Sequence, residues 1–503
     1  MSPGCASQRG RLLSGLGLGV LDWFITPDVA DEAVGDALAW EMRVRALPSR
    51  LVVQFVLGLC LFSGKSYGQV MRKLAGGLEA ALAAAGWRDP ATTALTGGRR
   101  RVGDKTLEAL LGRLCSALSP GRSQWSHVCG LLAVAWDGTT VTAAASAQNI
   151  AAFGRARRKG GGYCHYPQIR LVSLIACGSR CLLGAAMGPL TGKGSGERAL
   201  AADLLGCLRT GMLLIADRGF YSWALWHAAA ATGAALLWRI PAPVRVSIIC
   251  RLPDGSCLAA IPDPDEVRRR TRRNGERRRR GSALPPDTSP VPVTRVRVIE
   301  FSIRVTGDDG SARTEQYRVI TTLLDWRRYP ARALAAAYGQ RWAIETGYQE
   351  FKTYLRGPGR ILRSRTPGLA RQELWAYLCI YQAIRAVICR AAARDSLDPD
   401  KISFTLALDV IRETVAGPAR LEAALAAVED LLTTPRNLVP ARPGRVWLRA
   451  ITQPARSYPS RNNATAPLSR TATCTVTITT PPAATRTPAS QPQHPQNPPD
   501  QPP

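Results

Sequence analysis

Apolar residues recur at helical spacing in the first part of the chain and at strand spacing in the middle. Leu51 to Phe62 (LVVQFVLGLCLF) is a dense apolar run, closed by Ser63 to Tyr67 and followed by QVMRKLAGGLEAALAAAG, with apolar residues three and four apart. That spacing predicts helices from residue 11 to about 120. Thr96 to Val102 (TGGRRRV) reads as a basic turn, and Asp104-Lys-Thr-Leu-Glu as the capped start of an amphipathic helix reaching Leu118. A helix entered through a basic turn suits docking on DNA; the same residues also suit a plain solvated helical pair.

From Val128 the period changes. LLAVAWDGTTVTAA, YPQIRLVSLIACG and RCLLGAAMGP are apolar or alternating runs bounded by Gly and Pro, which predicts neighbouring strands. Glu197 to Leu208 predicts a helix, Met212 to Ala216 a short strand ending at Asp217-Arg218-Gly219, and Trp223 to Gly233 another helix. Strands followed by alternating helix and strand make an α/β fold with a mixed sheet. Residues 239 to 316 interrupt it with short strands, prolines and the run Arg268 to Arg280 (RRRTRRNGERRRR). So many arginines cannot be core, and the run predicts an exposed loop tracking phosphates, with Arg277, Arg278, Arg279 and Arg280 at its end. Tyr317 to Leu324 resumes a strand, Ala331 to Leu355 predicts one long helix, and Gln372 to Ala393 a buried one, with a last helical region ending near Leu432. After Pro454 the chain turns to Pro, Thr, Ala, Ser and Gln, which predicts a disordered tail over 456–503.

Composition adds a partner class. The 503 residues, 46% hydrophobic, are too many for one core and apolar enough for packed domains. Lys plus Arg exceeds Asp plus Glu by 66 − 37 = 29. An arginine-rich bias contributes, but an excess this large repels itself in the folded state and fits a polyanion, nucleic acid or an anionic membrane surface. No apolar run approaches a membrane span, Leu51 to Phe62 being the longest. Arg9 and Arg11 before an apolar patch faintly resemble a leader, but the acidic PDVADEAVGD follows with no small-residue cleavage site. The thirteen cysteines contain no Cys-x2-Cys pair, so Cys164-His165 and Cys177-x3-Cys181 read as ordinary thiols in a reducing compartment. Gly192-Lys193-Gly194-Ser195-Gly196 lacks phosphate-loop spacing and reads as a flexible turn.

The candidate chemistry sits on the helix predicted from Ala331. Tyr338, Arg341, Glu345 and Lys352 stand at offsets 0, 3, 7 and 14. At about 100° per residue these fall within an arc of about 60°, stacking a phenol, a guanidinium, a carboxylate and an ammonium on one face. Periodicity alone reads equally as a salt-bridged face. Two aspartates change the balance: Asp137 follows the apolar run ending at Trp136 and precedes Gly138, and Asp217 ends another strand and precedes Arg218-Gly219. Carboxylates at strand ends beside small residues pack poorly in a core and ligate cations well. Three shared carboxylates suit two Mg²⁺ (or Mn²⁺) ions for phosphoryl transfer, with Arg341 and Lys352 on the phosphate.

Asp137-Gly-Thr, Asp217-Arg-Gly-Phe-Tyr and the Tyr338/Arg341/Glu345/Lys352 pattern resemble the signature of the insertion sequence four family of bacterial DDE transposases. The gaps of 217 − 137 = 80 and 345 − 217 = 128 residues agree, the second being long enough for a β-rich insertion. The resemblance covers about residues 11 to 455. It implies a ribonuclease-H-like catalytic core over 126–455 with a β-rich, Arg-rich insertion at 239–316, and a helical DNA-binding domain over 1–125. It further implies Asp137, Asp217 and Glu345 as catalytic metal ligands, and Tyr338, Arg341, Lys352 and Arg218 toward phosphate. The expected partner is double-stranded DNA, both terminal inverted repeats and target, cut and pasted through a hairpin by a homodimer in the bacterial cytoplasm, with no membrane involved. Tyr317 is expected either to stack on a flipped base or to be a core strand residue. Asn149, Phe153 and Arg170 stand where the family commonly has these residues. An inactive or domesticated DNA-binding relative is the alternative, against which the intact carboxylates argue; a repair nuclease would leave the N-terminal region and the Arg-rich insertion without a purpose.

Overall fold

The computed structural model describes residues 16–39, 47–117, 124–439 and 472–479, apart from 77, 159, 193, 281–284, 308–311 and 416–419. Its centre is a 12-stranded mixed sheet. The chain enters through β1 (His127–Val128), β2 (Leu131–Thr142), β3 (Arg155–Arg157), β4 (Tyr163–Ala176) and β5 (Leu182–Pro189). It continues through β6 (Met212–Ala216), β7 (Ala235–Arg239), β8 (Ser247–Arg251), β9 (Cys257–Pro262), β10 (Val293–Gly307), β11 (Ala312–Thr321) and β12 (Ala472–Ile478). β4 and β5 meander antiparallel from β2, while β6 and β7 run parallel to it. The central strands are buried on both faces, which is why Leu131–Trp136 and Met212–Ala216 read as continuous apolar runs.

The segment expected as an interruption at 239–316 extends the sheet instead. β11 pairs antiparallel with β7, β10 with β11, and β9 with β10, so the pleat of the core continues outward without a break. The Arg-rich run is a helix, Pro264–Arg279, rather than a loop. Asp263 caps it through the amides of Asp265 and Glu266, Pro264 opens the first turn, and acidic residues stand at its start and arginines at its end. Arginine is itself a good helix former, and pairs such as Arg269–Glu266 and Arg272–Glu276 lie along the surface.

Helices from both ends of the chain share one core. Pro367–Arg394 is buried along most of its 28 residues, with Ser49–Leu61 and Lys105–Ala117 packed on it. By length and composition it could cross a bilayer, against the expectation that no run approaches a span, yet 83% of its most apolar window is covered by protein, so it is the buried helix expected over Gln372 to Ala393. Thr92–Val102 is a helix, not a basic turn. Gly98 serves packing: a Cβ there would stand 2.9 Å from Val52 Cγ2. Arg99, in the run read either as DNA-docking or as solvated, is buried and donates to Gln372 Oε1 at 3.0 Å and Ser364 Oγ at 2.9 Å.

The expected long helix from Ala331 is broken. Ala331–Gly339 ends in a tight turn at Gln340 and Arg341, Trp342–Gln349 follows, and Glu350–Leu355 winds as a π-helix. Such widened turns recur at functional sites. The tail also departs from expectation. Ala472–Ile478 forms β12, paired antiparallel with β10 from Phe301 to Gly307; the rest of 456–503, beyond 472–479, lies outside the described residues. In TVTI, Val476 and Ile478 turn inward while Thr475 and Thr477 face out. Val476→Asp should therefore lower stability by about 1–3 kcal/mol, and Thr477→Asp should change it little. Thermal melts of the full chain decide between this pattern and a tail that contributes nothing.

Candidate active site

Register brings the two aspartates together. Ala135 lies opposite Ile215 on the parallel pair β2–β6, so Asp137, two residues on within β2, and Asp217, just past the end of β6, come to the same region of neighbouring chain segments. Strands in a sheet lie about 4.8 Å apart. On β7, Trp238 pairs with Ala216, which sets Arg239 level with Asp217. Its guanidinium stands 3.9 Å from the Asp217 carboxylate.

Asp137 is half-buried and accepts from the Gly138 amide at 2.8 Å. Burial pushes its carboxyl up to about 6, and the negative charges of Glu345 and Glu197 push the same way against the Gly138 amide and Arg341. Gly138 leaves room for the end of the Glu197 side chain: a Cβ there would stand 2.4 Å from Glu197 Cδ and displace it. Glu197 in turn pairs with Arg170 at 3.0 Å, which gives Arg170 a structural partner. Asn149 and Phe153 are both buried; Asn149 donates to the carbonyls of Ala144 and Ser364.

The broken helix supplies the remaining groups. Tyr338 donates to Asp217 Oδ1 at 3.3 Å, and burial followed by the Asp217 charge raises its hydroxyl far above the usual tyrosine range. Arg341 donates to Glu345 Oε1 at 3.1 Å. Burial opposes its charge, but Tyr338, Glu345, Asp217 and Asp137 together outweigh it and hold the guanidinium above its ordinary value. Lys352, in the π-helix, is drawn down by burial and by Arg356, with Asp137 pulling the other way. Tyr348 donates to the Asp137 carbonyl at 2.7 Å and fastens this helix to β2. Arg218 is exposed at the turn after β6, a turn braced by Arg198 donating to the Gly219 carbonyl at 2.8 Å.

Beneath the helix, Glu350 is buried against Arg180 at 3.1 Å and Arg385 at 3.8 Å, and it accepts from Tyr381 at 3.2 Å. Tyr317 does not present a platform. It is 7% exposed, its ring lies parallel on Phe301 at 5.2 Å, and Arg239 stands 4.4 Å from its ring centroid. A flipped base finds no open face there, so Tyr317 is the core strand residue. Pattern reading missed Glu197, Arg239, Tyr348 and Glu350. Register from β6 to β7 was the one signal for Arg239; the others depend on tertiary packing.

Oxygen donors and surplus negative charge at Asp137 suit a hard cation in kind. Among the described residues, no three Asp, Glu, His or Cys side chains converge as a ready-made ligand set. Arg341 instead lies within electrostatic reach of all three carboxylates, and Glu345, 44% exposed, has room to swing.

Residues 130–383, about half of the chain, match the family described as Transposase DDE domain, which makes this protein a DNA phosphoryl-transfer enzyme of the transposase class. Residues 16–112 match Insertion element 4 transposase N-terminal, and the chain belongs to the IS4 family of DDE transposases. That family carries a ribonuclease-H-like core and generally uses divalent metal ions. The chain is similar to Transposase InsG for insertion sequence element IS4 of Escherichia coli (strain K12), 23% identical over 447 residues, covering 87% of this chain and 92% of the relative.

Glu350 offers a test of how the site is held. Glu350→Ala removes the carboxylate that buried Arg180 and Arg385 share, leaving them, among the described residues, only Asp400 and the Ser179 carbonyl, and should cost about 3–5 kcal/mol in denaturant unfolding. A loss below about 1 kcal/mol would show that the anchor lies elsewhere.

Proposed function

We propose that this transposase binds the terminal inverted repeats of its own element and cuts and rejoins DNA there by cut-and-paste transposition through a hairpin end. The observation that carries this reading is the register that brings Asp137 and Asp217 to one region of the sheet, with Arg341 among all three carboxylates. Asp137, Asp217 and Glu345 would hold two Mg²⁺ or Mn²⁺ ions, which when bound activate the attacking oxygen and stabilise the leaving one. The chain's own groups divide the rest. Tyr338 and Arg239 fix the Asp217 carboxylate. Arg341, Lys352 and Arg218 face phosphate, where fixed positive charge is worth most in a partly desolvated site. The working form is a homodimer across two paired ends, acting on the bacterial nucleoid.

Asp217→Asn should abolish strand cleavage in Mg²⁺ while leaving affinity for an end duplex within about threefold, because binding rests on phosphates gripped elsewhere. Metal-dependent cleavage at wild-type rate by that variant would end the assignment, and loss of binding as well would point to a structural role. The same end duplex tests the Arg-rich helix. Arg278 and Arg279 are exposed at its last turn, while Arg268, Arg269, Arg272 and Arg273 are engaged by carboxylates. Neutralising Arg277 to Arg280 should flatten the salt dependence of binding by about 0.9 log units for every phosphate left without its cation. An unchanged slope would turn that helix away from DNA.

A further inference from the structure

From Gly138 to Gly196 the chain holds not one Asp or Glu. Within that stretch β3 and the start of β4 form a projecting hairpin, with Arg155 opposite Pro167 and Arg157 opposite Tyr163. The sequence between the strands reads Arg158-Lys-Gly-Gly-Gly, and Gly161 and Gly162 adopt φ of +94° and +72°. Arg158 and Gly162 are tied by a backbone hydrogen bond of 3.1 Å.

Two features separate this hairpin from an ordinary basic turn. Tyr163 is 50% exposed, and the guanidinium groups of Arg155 and Arg157 stand 5.4 and 5.7 Å from its ring centroid. The tyrosine thus holds both cations without neutralising them. Tyr166 is 39% exposed, with His165 edge-on at 4.7 Å. The hairpin also has a rigid base. Gly154, at φ +74°, brings the chain so close to Thr191 that a Cβ would stand 2.1 Å from its hydroxyl, and the Leu190 amide donates to the Phe153 carbonyl at 2.8 Å. Arg155, Arg157, Tyr163 and Leu190 line a groove of about 490 Å³ there. Guanidinium groups that meet an aromatic face, and no carboxylate among the described residues, suit the phosphates of a nucleic acid backbone.

The position of the arm sets a length. Asp137, midway along β2, lies opposite Ser173 on β4, and Thr142 at the end of β2 lies opposite Gln168, so the hairpin extends beyond the end toward which β2 runs from the carboxylate. Tyr163 is ten residues before Ser173. At about 3.3 Å per residue that is roughly 33 Å, or about ten base pairs at 3.4 Å each.

We propose that the β3–β4 hairpin grips the backbone of the transposon-end duplex about ten base pairs inside the scissile phosphate. The end, rather than the flank, is the occupant because a cut-and-paste enzyme releases the flank and must hold its end through every step. This rests on the end-binding reading above. Hydroxyl-radical footprinting on a duplex carrying one terminal repeat and its flank tests it, with chelator present so that no strand is cut. Wild-type protein should protect the end about ten base pairs inward. The triple variant Arg155→Ala, Arg157→Ala, Arg158→Ala should lose that protection alone, keep its melting temperature and show a salt slope flatter by about 0.9 for each phosphate it no longer neutralises. Tyr163→Ala should weaken the same protection with the charge unchanged, and Tyr163→Phe should restore it. An unchanged footprint and slope in the triple variant overturns the proposal, as does protection lost on the flank instead. Absence of any end footprint by wild-type protein would overturn the end-binding reading itself.

Discussion

Like charge held at close range is the constraint on which the site depends. Parallel pairing of β2 and β6 brings Asp137 and the turn residue Asp217 to one region of the sheet, and the charges of Glu345 and Glu197 act on Asp137 as well. Burial then raises the cost of ionising Asp137. The chain answers with cations and donors rather than distance: Arg341 from the broken helix, Arg239 from β7, and the Tyr338 hydroxyl. They come from two elements, Arg341 and Tyr338 from the broken helix and Arg239 from β7, so the carboxylates hold their arrangement only while sheet and helix are docked.

That docking explains why helices from both ends of the chain share a core. Pro367–Arg394 supplies Arg385 and Tyr381 to Glu350, and it is packed on its other sides by Ser49–Leu61 and Lys105–Ala117. Arg180, between β4 and β5, reaches Glu350 and also pairs with Asp400. Buried charges of this kind stabilise little by themselves, since desolvation offsets much of their attraction. What they provide here is direction: one orientation of the π-helix satisfies all partners of Glu350, and Lys352 is two residues along.

The strands, and with them the carboxylates, were legible because their signal is local. A continuous apolar run followed by Asp marks a central strand, and β6 falls at Met212–Ala216 as its pattern predicts, but β2 runs on from Asp137 to Thr142, so that carboxylate sits within its strand and not at the expected end. What failed was local evidence with two meanings. Gly97-Gly98 before three arginines reads as a turn, and Gly98 instead lets two helices touch. Nine arginines read as loop because they cannot be core, but exclusion from the core does not exclude a helix when Asp263, Asp265 and Glu266 cap and pair it. TVTI in the tail was lost in a window dominated by Pro and Thr, although its alternation is a strand signal of four residues. Uniform 100° turning placed Lys352 with Arg341, whereas the tight turn at Gln340 and the π-helix after Gln349 make its position a product of packing.

Net charge of +29 identifies the partner class and says nothing about where it lies. The densest arginine run carries much of its own counter-charge: Asp265, Glu266, Glu276 and Asp287 engage four of its guanidinium groups, so its field toward a phosphate is that of its last turn. Arg155 and Arg157 rest on an aromatic face, which orients a cation and leaves its charge whole. Counterion release counts cations that meet phosphate, not cations in a window of sequence. Even between Gly138 and Gly196 a window misleads, since Arg170 is met by Glu197 and Arg180 by Glu350 and Asp400 from outside it; what sets Arg155 and Arg157 apart is that their neighbour is a ring.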